Sequence, residues 1–150
     1  MSLSVMELQV RSYQQKITNA EAQTKKCERN YESLRAFKGI VERSQEDFNS
    51  VNSKKQSILA EVDAVKKNSL TAQRYSAGMS KVLNGIGSKI VAIAYAGFLY
   101  IIKNKLNSYV NAVSSYENQI AGYNKIITNL NKQIEAEKSE ELAKAEGGQV

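Results

Sequence analysis

Residues 102–134 read IKNKLNSYVNAVSSYENQIAGYNKIITNLNKQI. Ten of their apolar members, Ile102, Leu106, Tyr109, Val113, Tyr116, Ile120, Tyr123, Ile127, Leu130 and Ile134, follow one another in alternating steps of four and three. That spacing puts every one of them on a single stripe of an α-helix, the pattern of a coiled-coil seam. At 1.5 Å per residue such a helix extends on the order of 50 Å, so it needs a partner along its stripe to be stable. Tyrosines at three seam positions widen it, and each hydroxyl must reach water or a polar neighbour.

The amino-terminal half offers that partner. Val10, Tyr13, Ile17, Ala20, Thr24, Cys27, Tyr31 and Leu34 keep the same rhythm. After Leu34 the apolar pattern slips to Phe37 and continues through Val41, Ser44, Phe48, Val51, Lys55, Ile58, Val62 and Val65, with Gly39 just past the slip. Two consecutive steps of three overwind a coiled coil, and a glycine costs about 1 kcal/mol in a helix interior, so a bend or break is expected at residues 35–41. The sequence Asn84-Gly85-Ile86-Gly87 is the second interruption; Asn-Gly and paired glycines favour the positive φ angles of a chain reversal, and Asn84, Gly85 and Gly87 are read as that turn. No proline occurs anywhere to stop a helix. The expected fold is all-α: a long antiparallel helical hairpin or coiled coil of two or three long helices, at about 3–36, 41–83 and 88–141. These form one domain over 1–141, followed by a flexible tail at 142–150.

Between the turn and the seam lies an apolar island. Ile90 to Ile102, thirteen residues, carries no charged or strongly polar side chain and is bracketed by Lys89 and Lys103. A spanning helix needs roughly 20 apolar residues, so the island reads as a buried helix rather than a membrane span. A helix apolar on all faces has to be covered on all faces, and a two-helix coiled coil covers one stripe. A third helix, a second copy, another protein or a lipid surface must supply the rest. The candidate partner-binding residues are Met79, Val82, Leu83, Ile86, Ile90, Ile93, Ala94, Gly97, Phe98 and Ile101.

Charge narrows the class of partner. No acidic residue occurs between Asp63 and Glu117, whereas Lys66, Lys67, Arg74, Lys81, Lys89, Lys103 and Lys105 all fall there. The segment from Glu135 onward holds five acids and two lysines. An anionic partner is implied: an acidic protein surface or a membrane headgroup layer before nucleic acid, for which there is no compact Arg cluster, helix-turn-helix spacing or aromatic stacking motif. With no histidine and one cysteine, Ser-His-Asp, Cys-His and His-based zinc sites are excluded. Cys27 reads as a small buried apolar residue, Gly85-x-Gly87 lacks the rest of a phosphate loop, and neither a cofactor nor catalysis is expected. The start, MSLSVMELQV, shows no readable signal peptide, which points to the cytoplasm.

Three segments, SLRAFKGIVERSQEDF (33–48), RYSAGMSKVLNGIGSKI (74–90) and KIITNLNKQIE (125–135), occur in an order that resembles the small helical accessory proteins encoded beside LXG polymorphic toxins in Gram-positive type VII secretion loci, relatives of the WXG-motif hairpins. The resemblance implies a non-catalytic adaptor or chaperone for the helical amino-terminal domain of such a toxin, with a second small helical accessory protein or a second copy as a further partner. Leu83-Asn84-Gly85 stands where the hairpin family has Trp-x-Gly, and Tyr116 and Tyr123 are followed four residues on by isoleucines, not by the acid of an export tail. Export is therefore expected only in a complex. The alternatives are a membrane-surface-binding amphipathic protein and a self-assembling structural coiled coil.

Overall fold

A computed structural model describes Ser2 to Gly148. It contains three α-helices and no strand among the described residues: α1 (Leu3–Val65), α2 (Leu70–Asn84) and α3 (Ile86–Gly147). The fold is a helical hairpin, as the two seams imply, but its turn is elsewhere. The chain reverses between α1 and α2, through one 3-10 turn (Lys66–Asn68) and the extended Ser69 at φ −150° and ψ 125°. The Ser69 hydroxyl caps α2 by accepting from the Ala72 N–H at 3.3 Å, and Gln73 Nε2 donates to the Lys66 carbonyl at 3.0 Å. The four consecutive residues Lys66-Lys67-Asn68-Ser69 carry no apolar side chain, which ends both seams; a serine cap then starts the next helix.

The expected reversal at Asn84–Gly87 and the expected helix over 41–83 are therefore corrected. No glycine among the described residues has positive φ. Gly85 sits at φ −82° and ψ 175°, a single non-helical residue that ends α2 and starts α3, while Gly87 is already inside α3. What Gly85 supplies is room, because a Cβ there would overlap the Lys81 carbonyl oxygen. The expected break at 35–41 is also absent: α1 passes through Gly39 as regular helix. Of the expected tail, residues 142–147 are helical and Gly148 is a turn, with the last two residues outside the described ones.

The chain divides into two compact units. Unit 1 pairs residues up to Tyr31 with those from Ser108 onward; unit 2 is Glu32–Asn107. In unit 1 the buried Met6, Leu130 and Ile134 form a cluster with Leu3, Val10 and Tyr13 packed against it. Tyr13 meets Tyr123 at 5.8 Å between ring centroids, Lys16 Nζ lies 4.8 Å from the Tyr13 ring, and Glu7 pairs with Lys138 at 3.8 Å. Cys27 is half-buried on the inward stripe.

In unit 2 the antiparallel register is read from cross-helix contacts. Phe37 packs edge-on against Phe98, Phe48 against Tyr95, Ser44 and Tyr95 share a hydrogen bond, Asn52 donates to Ser88, and Gln56 donates to Asn84. Near the turn the buried Ser76 hydroxyl donates to Asp63. Of these pairs Asn52–Ser88 and Ser76–Asp63 are part-buried and keep their desolvated groups bonded, while Ser44–Tyr95 and Gln56–Asn84 lie at the exposed flanks.

The glycines give a test of this account. Gly39→Ala is expected to stabilise the protein by roughly 0.5–1 kcal/mol, since α1 is helical there and the new methyl meets nothing closer than an Arg43 side-chain nitrogen at 4.0 Å. Gly85→Ala is expected to lower the melting temperature, since the backbone must shift to admit the methyl. Thermal unfolding of the two variants beside the parent measures both, and destabilisation by Gly39→Ala would mean that a bend is required there after all.

Candidate docking surface

The inward residues of α1 in unit 2 continue the rhythm of the first stripe without a slip: Leu34, Lys38, Val41, Gln45, Phe48, Asn52, Leu59 and Val62 are buried or half-buried. In heptad letters Lys38, Gln45, Asn52 and Leu59 are a positions, and Val41, Phe48 and Val62 are d positions. Phe37, Ser44, Val51, Ile58 and Val65 then fall on the g flank, and all five are exposed. The apparent slip after Leu34 is therefore a second, outward seam that shares Val41, Phe48 and Val62 with the first.

The other arm has a matching asymmetry. On α2 the inward residues are Ala72, Ser76, Met79 and Leu83; on α3 they are Ser88, Tyr95, Leu99, Ile102 and Leu106. A continuous helix would carry the stripe on from Leu83 through Ile86, Ile90, Ile93 and Gly97. Gly85 breaks the phase, so a different stripe turns inward and this one turns out. Ile93 is 70% exposed and Ile86 77%, while Leu83 is only 7% exposed. The island thus carries two apolar stripes, and α1 covers one.

Of the ten residues singled out from sequence, Val82, Ile86, Ile90, Ile93, Ala94, Gly97, Phe98 and Ile101 are exposed together in unit 2, and Met79 is half-buried. Leu83 belongs to the hairpin core instead. Of the turn residues, Asn84 binds Gln56 across the hairpin and Gly85 forms the α2–α3 junction. Residues of this surface missed from sequence are Phe37, Val51, Ile58, Val65, Tyr75 and Val91; the apolar rhythm alone joins the four on α1 to the packed seam.

In an antiparallel pair the g flanks of the two helices lie on one side and the e flanks on the other, and the Phe37–Phe98 contact marks the g side. That side carries Phe37, Val51, Ile58 and Val65 from α1, with Tyr75, Val82, Val91 and Phe98 from α2 and α3. The e side carries Glu42, Asn49, Gln56 and Asp63 facing Gln73, Ser80, Lys89 and Lys103. The heptad flank of one edge is apolar and that of the other polar, with Ile86, Ile93 and Tyr100 exposed on the back of α3 behind the polar flank.

Fifteen of the twenty exposed large apolar side chains among the described residues are in unit 2. The charge is just as uneven. Unit 2 holds twelve Lys and Arg against six Asp and Glu, and unit 1 nine against nine, so unit 2 carries the whole net charge of +6. An eighteen-residue window in the α2–α3 arm is long and apolar enough to cross a membrane by length and composition, and only 6% of it is buried. The apolar character of the island thus extends past Lys89, to the length of a spanning segment. Among the described residues no group of three or more His, Cys, Asp or Glu side chains is placed to hold a metal ion. No family model, curated protein or solved structure matches the chain.

Proposed function

We propose that the protein is a non-catalytic adaptor or chaperone whose unit 2 receives a helical client, the amino-terminal domain of an LXG-type toxin, in the cytoplasm, stabilising it or accompanying it into type VII export. The observation that carries this reading is the second apolar stripe of the island, held outward by Gly85. Exposed apolar surface of that extent costs free energy in water and marks an interaction face. Its heptad spacing suits helices, and the sequence resemblance supplies the class of client.

The experiment is co-purification with the helical domain of the neighbouring toxin. Ile93→Asp is expected to abolish the complex and Phe98→Asp to weaken it at least tenfold, because an unpaired charge in a desolvated apolar contact costs several kcal/mol. Lys138→Gln, in unit 1, is expected to leave it intact. Undiminished recovery of the client by Ile93→Asp would remove the island from the interface.

A second reading, attachment to an anionic membrane surface, is favoured by the apolar window and the cationic charge of the same unit. Spanning is disfavoured by the hairpin itself. α1 packs along the island with Arg43, Glu46, Asp47, Lys54 and Lys55 on its length, and those charges cannot enter hydrocarbon cheaply.

A further inference from the structure

Resting on the reading of unit 2 as a docking face, we infer that the partner contributes an apolar-seamed helix with acidic flanks, and that this helix lies in the groove on the Ile58–Val82 side of the hairpin. Three observations point there. The exposed apolar residues on the α1 side of the groove, Phe37, Val51, Ile58 and Val65, occupy one heptad position, so a helix laid alongside meets them at its own repeat. A lipid surface has no such periodicity to match. On the α2–α3 side the next position outward is held by Gly78, Gly87 and Ala94, and a Cβ built at either glycine has nothing within 4 Å, which leaves room for a close backbone. On the opposite edge only α3 is apolar, through Ile86, Ile93 and Tyr100, because α1 presents Glu42, Asn49, Gln56 and Asp63 there, so no two-walled apolar groove forms.

Charge selects the occupant. A second copy would bring one +6 unit against another, and like charges across an interface oppose association. Arg74 and Lys81 on α2, with Lys67 at the turn, instead favour a helix whose Glu or Asp side chains face the α2–α3 wall, which holds no acidic residue; the acids Asp47 and Glu61 lie on the α1 wall, and Lys66 is already paired with Asp63 at 3.6 Å. The occupant is therefore an acidic helix of another protein, packed as the third helix of unit 2.

The test uses the full chain and two synthetic 28-residue helices with the same Leu/Ile seam, one flanked by Glu and one by Lys. Fluorescence titration is expected to show binding of the Glu-flanked helix at least tenfold tighter than the Lys-flanked one. The double variant Ile58→Asn/Val82→Asn is expected to weaken it at least tenfold, with Asn49→Ala/Gln73→Ala on the polar edge within about twofold of the parent. Circular dichroism checks that each variant keeps its helix; the groove residues are exposed, so the fold does not depend on them. Equal binding of both peptides overturns the acidic occupant. Loss of binding in Ile86→Asn/Ile93→Asn but not in the groove variant overturns the groove and leaves the docking reading standing, whereas failure of the toxin domain to co-purify with the parent chain overturns that reading itself. Absence of peptide binding overturns the inference, as do a dimer in sedimentation equilibrium that the groove variant dissociates and binding only to phosphatidylcholine/phosphatidylglycerol vesicles.

Discussion

Ile102→Asp is expected to unfold unit 2, and Ile101→Asp, one residue earlier, to leave it folded while removing its docking activity. The neighbours differ only in the stripe they occupy: Ile102 is 3% exposed against α1, and Ile101 is 64% exposed on the outward stripe. Burying a carboxylate without a partner costs several kcal/mol, and losing the isoleucine contributes about 2–5 kcal/mol more, a large share of a small domain's total stability. At position 101 the carboxylate stays in water and the hairpin contact is untouched. Thermal unfolding followed by circular dichroism separates the two, and the folded Ile101→Asp chain then reports on client binding free of any folding defect. Comparable melting of the two variants would mean that the phase set at Gly85 is wrong.

The reason this contrast was not legible beforehand lies in the repetition of the island. Every residue from Ile90 to Ile102 is apolar or weakly polar, so two heptad stripes fit it equally well, and only the phase of the helix decides which one turns inward. That phase depends on one non-helical residue, Gly85, whose backbone is extended but not left-handed. Asn-Gly-Ile-Gly advertises a reversal, yet the pairs Asn52–Ser88 and Gln56–Asn84 across the hairpin centre it on Lys66–Ser69 instead. The actual turn is written in weaker letters: an absence of apolar residues over 66–69 and a serine cap. By contrast, the seam from Ile102 to Ile134 is readable because large apolar residues off the stripe are few there, Val110 and Ile126, which leaves one phase. Leu106, Leu130 and Ile134 are buried on that stripe, and the tyrosines are half-buried as their wide rings require.

The same ambiguity conceals part of the exposed apolar surface of unit 2. Val41, Phe48 and Val62 serve both the inward and the outward seam of α1, so the apolar pattern alone joined them to Val51, Ile58 and Val65. The inward stripe runs instead through Lys38, Gln45 and Asn52, which hydropathy passes over. Asn52 keeps its place by donating to Ser88 at 3.4 Å. Polar residues in a seam lower its stability and fix its register. Here they leave Val51, Ile58 and Val65 of α1 exposed, so that unit 2 is folded with much of its apolar surface uncovered.

Replacing Lys89, Lys103 and Lys105 together by Gln is expected to leave client binding within a few-fold of the parent and to abolish whatever affinity the chain has for anionic vesicles. Attraction to an anionic headgroup layer is worth about 1 kcal/mol per basic residue, so three substitutions reduce membrane affinity by roughly a hundredfold. That attraction also fades as salt rises and the screening length falls below about 10 Å, while burial of apolar side chains between helices persists. Lys89 and Lys103 lie on the polar edge of the hairpin, and Lys105, on the groove side, stands two helical turns beyond the Phe37–Phe98 contact, so a helix seated beside Ile58 and Val82 depends little on the three. Co-sedimentation with phosphatidylcholine/phosphatidylglycerol vesicles and capture of the helical toxin domain, each at low and high salt, measure the two affinities on the same preparations. A client complex that survives both high salt and the triple substitution is what the adaptor reading requires. Strong vesicle binding that disappears under either condition, with no client retained, would instead assign unit 2 to a membrane surface, with the outward stripe of α3 lying shallowly in the headgroup layer and α1 remaining above it in water.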